Sequence, residues 1–148
     1  MITNKSKGFT IIELLVVVAI IAVLAAIVLV NVTGYINQGK NAAIKGNLAT
    51  VLTNGAVYYD ANNDYDAFCA SAGFTAPSAA ITGADGTAVC VESTDDTAWC
   101  ACSTMNVTGD EPAGTTFCVD STGTKKATLT ACTGVGGRCL AATGACTD

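Results

Sequence analysis

A chain of 148 residues with a net charge of −5, eight cysteines and no histidine has room for one compact domain plus an accessory segment, not two full domains. The missing imidazole excludes most metal centres, triads and acid–base relays, and the absence of Cys-x-x-Cys-His excludes a covalent c-type haem. The acidic balance repels a phosphate backbone, so no nucleic-acid partner is expected, and without a catalytic or ligating constellation no cofactor, metal or enzymatic activity is expected either.

Met1–Gly8 carries Lys5 and Lys7 and no acid. From Leu14 to Val30 follow 17 residues without a polar side chain, or 22 from Phe9 if Thr10 and Glu13 are included. A helix of about 20 such residues crosses a bilayer, and the basic flank stays cytoplasmic, so the rest of the chain is expected outside. Two plain alternatives fit part of this pattern. A cleaved signal peptide with its cut near Val23-Leu24-Ala25 has the basic start, but its apolar region ends sooner than this one. A passive signal anchor fits in length and flanks. Glu13 argues against both, because an ionised group deep in a bilayer costs about 2.5–3.5 kcal/mol and neither has a use for it. A natural partner is an α-amino group: cleavage after Gly8 would place one on Phe9, four residues before Glu13.

Lys7 to Ile21, Lys-Gly-Phe-Thr-Ile-Ile-Glu-Leu-Leu-Val-Val-Val-Ala-Ile-Ile, resembles the prepilin signature of type IV pilins and type II secretion pseudopilins. The resemblance covers roughly the first thirty residues. It implies cleavage between Gly8 and Phe9 by prepilin peptidase, N-methylation of Phe9, and pairing of Glu13 with a neighbouring subunit's amine to set register. It further implies a homopolymeric helical filament at the cell surface, drawn from a pool in the cytoplasmic membrane by an assembly ATPase and a membrane platform. A minor pilin or a pseudopilin of a secretion or DNA-uptake machine shares the signature. A membrane-anchored, disulfide-rich binding module that never polymerises is the rival from another class.

After Val30, apolar residues at Ile36, Ile44, Leu48, Val51, Leu52 and Tyr59 continue one helical face to about Asp60. Many pilins carry a proline about twenty residues into this helix. Here Gly34, Gly39, Gly46 and Gly55 interrupt it instead, each costing about 0.5–1 kcal/mol relative to alanine. Asn31–Gly39 is the weakest stretch, the place for a bend, local melting on assembly, or a break with a second helix from Lys40. Asp60, Asn62 and Asp64 mimic the start of an EF-hand loop, but Tyr65 and Ser71 stand where that loop needs Gly and Glu.

Short β-prone runs at Ala88–Val91, Ala98–Cys102, Thr116–Asp120 and Ala127–Thr130 predict a small antiparallel sheet. Alternation puts Trp99 on one face and Cys100 and Cys102 on the other. Trp99, Phe117, Val119 and Leu129 are the expected core against the helix. Cys69, Cys90, Cys100, Cys102, Cys118, Cys132, Cys139 and Cys146 suit an oxidising compartment and four bridges, for which 105 connectivities are open. Thiolate metal ligation is the weaker alternative without His or Cys-x-x-Cys. Lys125, Lys126 and Arg138 read as solvated charges, and Asn31-Val-Thr33 and Asn106-Val-Thr108 match the glycosylation sequon. The expected organisation is α+β: leader 1–8, transmembrane and assembly helix 9–30, amphipathic continuation 31–60, and a disulfide-rich head 61–148.

Overall fold

The computed structural model of the chain describes residues 8–132, 139–140 and 143–146. The basic leader residues Lys5 and Lys7, and Arg138 of the basic group, lie outside the described residues. Two compact units divide between Tyr35 and Ile36.

Helix α1 runs from Ile11 to Asn62, 52 residues. It continues through Asn31–Gly39, so the break expected before Lys40 is not there. Propagating a helix costs little once it is nucleated, and scattered glycines of about 1 kcal/mol each do not terminate a cooperative segment of this length. The stop comes at Asn63, which takes a left-handed φ of 63° while its N–H donates to the Tyr59 carbonyl at 2.8 Å. Asparagine is one of the few residues that accepts this conformation at little cost. Asp60 and Asn62 therefore sit inside the helix, and Asp64 accepts the Asp66 N–H instead of facing a loop centre, which removes the EF-hand spacing.

In the second unit, Ile44, Leu48 and Val51 of α1 are fully buried, as the helical spacing predicted. Ile36 and Tyr59, expected on the same face, are 51% and 46% exposed. Tyr58 takes the inward place, packing its ring edge-on against Phe68 at 5.4 Å. A 3-10 turn at Phe68–Ala70 leads to a second helix, α2 (Ala72–Gly83), which the sequence reading did not include. Ser71 caps it by accepting the Gly73 N–H, and Phe74, Pro77 and Ile81 form its buried stripe. Pro77 lies in the helix interior, where it cannot donate to the Gly73 carbonyl four residues back. Asn54 of α1 donates to that carbonyl at 2.8 Å, so the tertiary contact supplies the missing hydrogen bond.

Strands β1 (Ala88–Glu92), β2 (Trp99–Thr104), β3 (Thr116–Asp120) and β4 (Lys125–Thr128) form an antiparallel meander in the order β1-β2-β3-β4. The register sets Val89 and Cys118 beside Cys102, and Ala127 beside Phe117. Two short strands, β5 (Cys139–Leu140) and β6 (Ala145–Cys146), pair with each other. Alternation separates two layers as expected. Trp99, Ala101 and Val119 join the helix side, with Phe117 partly buried there, while Cys100, Cys102 and Cys118 cluster on the other face. Leu129 is a correction: it lies beyond β4 and is 65% exposed. A helix is about 10–12 Å across with its side chains. Four strands at about 4.8 Å spacing are wider, so the last one is left uncovered.

A polar clip holds the segment after β2 to α1. Asn41, 2% exposed, donates to the Asn106 carbonyl at 2.8 Å and accepts the Asn106 N–H at 2.7 Å. It also donates to Glu111, which pairs with Lys45. Burial pushes the Glu111 carboxyl up, but the hydrogen bonds from Lys45 and Asn41 outweigh it and hold the group below its ordinary value. Both amide hydrogens of Asn106 are engaged, with Asn41 and with the Ala84 carbonyl, so the sequon asparagine is not a free acceptor for a glycan.

Candidate functional site

The N-terminal segment starts with Gly8, Phe9 and Thr10 ahead of α1. Its apolar side chains are turned outward from Phe9 to Val28: Phe9 is 78% exposed, Ile11 81%, Leu15 62%, Val23 62% and Val28 60%. This part of α1 is long and apolar enough to cross a membrane, by length and composition.

Glu13 is placed by a local feature of the helix start. The Thr10 N–H and hydroxyl both donate to one Glu13 carboxylate oxygen at 2.8 Å, and the Thr10 hydroxyl oxygen accepts the Glu13 N–H at 3.2 Å. With α1 starting at Ile11, this is a reciprocal capping box, Thr at the N-cap and Glu at the third helical position. Thr-x-x-Glu before an apolar run is a legible signal for it. The expectation that a lone membrane helix has no use for Glu13 is therefore corrected: within one subunit the carboxylate satisfies helix-start donors. The box holds the carboxylate on Thr10, at the end of α1 where a negative charge is favoured.

The eight cysteines form four bridges: Cys69–Cys90, Cys100–Cys139, Cys102–Cys132 and Cys118–Cys146, with Cα separations of 5.5–6.1 Å. The first ties the 3-10 turn to β1. The other three run from the back face of β2 and β3 to Cys132, Cys139 and Cys146, and among the described residues Val89 and Val91 add apolar packing there. Cys100 and Cys102 point the same way from one strand and so bond elsewhere, not to each other. Asp120, 1% exposed, fastens the same layer: it accepts the Cys146 N–H at 3.0 Å on one oxygen, and the Thr122 N–H, Thr122 hydroxyl and Thr124 N–H on the other.

Residues 3–29 match the prokaryotic N-terminal methylation motif. The chain is 36% identical over 70 residues to the type IV major pilin protein PilA of Myxococcus xanthus, covering 47% of this chain and 32% of that one. It is 48% identical over 50 residues to the type IV major alpha-pilin of Moraxella bovis, covering 34% of this chain and 31% of that one. Fimbrial protein Q of Moraxella bovis matches equally, at 48% over 50 residues. The chain thus spans about a third of the length of the curated relatives it matches, 31–32%. No solved structure matches. The methylation motif lies at the start of the exposed apolar helix, and over 34–47% of its length the chain is similar to type IV pilins.

Proposed function

We propose that the chain is the structural subunit of a type IV pilus filament, held in the membrane as a pool and polymerised through the first part of α1. The observation that carries this reading is the unbroken outward display of apolar side chains from Phe9 to Val28. Fully burying one such side chain is worth about 1.5–3 kcal/mol, so a helix of this kind needs either lipid or other helices around it. Filament assembly exchanges the first for the second. Cleavage between Gly8 and Phe9 by prepilin peptidase would free an α-amino group, which methylation of Phe9 leaves charged.

Glu13 then has two partners to choose between. In the single subunit it accepts from Thr10. In a filament, a neighbour's α-ammonium would offer a charge-assisted bond, roughly twice as strong as one to a neutral donor. That bond forms only when subunits stack with the correct stagger, so the pairing sets register. The assembly ATPase and membrane platform would supply the work of extraction.

Mass spectrometry of the mature N-terminus tests the proposal, comparing protein sheared from the cell surface with protein left in membranes. A methylated Phe9 end on abundant sheared material is the expected result. An intact Met1, or a new end near Ala26, would overturn it. The same Phe9 end found only in membranes would instead mark a minor pilin or pseudopilin. Glu13→Ala is expected to abolish sheared filament while leaving the membrane pool, whereas a non-polymerising anchor would be indifferent to it.

A further inference from the structure

Two solvent-facing features of the head have complementary character. The first is the uncovered outer strand. Lys125 and Ala127 project to the helix side of β4, opposite Val119 and Phe117, and both are exposed, as is Leu129 just beyond them at 65%. Lys125 forms no ion pair among the described residues. Lysines on an edge strand discourage backbone pairing with another sheet, so a partner here is met through side chains.

The second feature is a groove of about 490 Å³ between the last turns of α1 and the start of α2, with Val57, Ala61 and Ala72 among its walls. Val57 is 66% exposed. The turn after α1 adds Asp64 and Asp66 to the helical Asp60, all three exposed, and no cation among the described residues pairs with them. The field of the two turn aspartates reaches the groove: the Tyr58 phenol, which lines it, is pushed up by its burial and then by the charges of Asp64, Asp66 and Glu92.

We propose that in the filament Leu129 of one subunit enters the α1–α2 groove of a second copy, with Lys125 set against Asp60 and Asp64 of that copy. The inference rests on the filament reading above. An apolar knob beside a cation matches an apolar groove with an acidic rim. The two patches are different parts of one chain, so the contact is heterologous, and such contacts repeat into rings or open helices instead of closing as pairs. Exposed charge pairs add little affinity but suppress wrong registers, because juxtaposed like charges are costly. The head contact would therefore add to the choice of stagger that Glu13 makes.

The test uses the full chain in cells that assemble it, with photoreactive benzoylphenylalanine in place of Leu129. Irradiating sheared filaments should give an intersubunit adduct that maps to residues 54–73 of the neighbour. An adduct elsewhere, or none in intact filaments, overturns the proposal. Lys125→Glu and Asp60→Lys should each lower sheared filament about tenfold, and the two together should restore it to within about twofold. Unchanged yield in the single variants, or no restoration in the pair, also overturns it. If the unsubstituted chain forms no filament, it is the filament reading itself that fails, and the contact with it.

Discussion

Replacing Gly55 with alanine should weaken the head, although alanine is the better helix former. An added Cβ would lie 2.6–2.7 Å from Cζ2, Cε2 and Nε1 of the Trp99 indole. That ring is fully buried and has little room to retreat, with Phe68 at 4.8 Å and Tyr65 at 6.4 Å between centroids. Its N–H meets no acceptor at full hydrogen-bond geometry, with the Tyr65 phenol as a polar neighbour, so close packing on the glycine does much to position it. The helix gains about 1 kcal/mol from Gly→Ala, but overpacking a filled core costs about 1–3 kcal/mol, and contacts this short fall at the costly end. A net loss of about 1–2 kcal/mol follows. Gly46 is the control: it lies exposed on the same helix with nothing within 4 Å of an added Cβ. Gly46→Ala should therefore stabilise by about 0.5–1 kcal/mol. Guanidinium unfolding of the chain in detergent reads both, because Trp99 is the sole tryptophan and its fluorescence reports this contact alone. Adding Trp99→Leu to Gly55→Ala should recover part of the loss, measured by circular dichroism. The packing argument is refuted if both alanine variants stabilise alike.

Asp120 should make the head acid-sensitive. Its burial pushes the carboxyl up, but hydrogen bonds from Thr122, the Cys146 N–H and Thr124 prevail and hold it below the ordinary aspartate value. A depressed folded pKa contributes stability that is full above the unfolded value, about 3.9, and is lost as pH falls below it. Asp120→Asn should flatten that acid limb in pH-dependent unfolding. Asn41→Ala should cost about 1–2 kcal/mol, because it removes the acceptor of the part-buried Asn106 N–H and one of the donors to Glu111; faster proteolysis of residues 106–111 should accompany the loss. Replacing Cys102 and Cys132 together with serine should cost about 2–4 kcal/mol, seen in the same unfolding assay. Glycopeptide mapping should find Asn106 bare.

Much of the architecture was legible because it is written in the period of single segments. The apolar run and its Lys-Gly-Phe…Glu start, the buried positions Ile44, Leu48 and Val51, and the two-sided alternation of Trp99 against Cys100 and Cys102 need only neighbours in sequence. The strand at Thr116–Asp120 was read with the observed bounds, and the last strand two residues late. The Thr10–Glu13 box is equally local, a helix-start signal set at the head of a segment whose apolar run speaks first for lipid.

Other features depended on which segments meet. Helix α2 was hidden by Gly73 and Pro77, and it closes because Asn54, 19 residues earlier than Gly73, donates to the carbonyl that proline cannot serve. Leu129 was expected inside by its hydrophobicity and lies outside because one helix is narrower than four strands. The pairing of eight identical cysteines carried no local preference at all. It was decided when the alternation of β2 and β3 turned three of them to one face and the pairing of β5 with β6 brought Cys139 and Cys146 above it. The sequence by itself thus determined the periodic elements and the membrane-seeking start, since both are set by side-chain spacing along one segment. Only the tertiary structure decided the bridges, the second helix and the uncovered strand, since each depends on distances between segments that no spacing encodes.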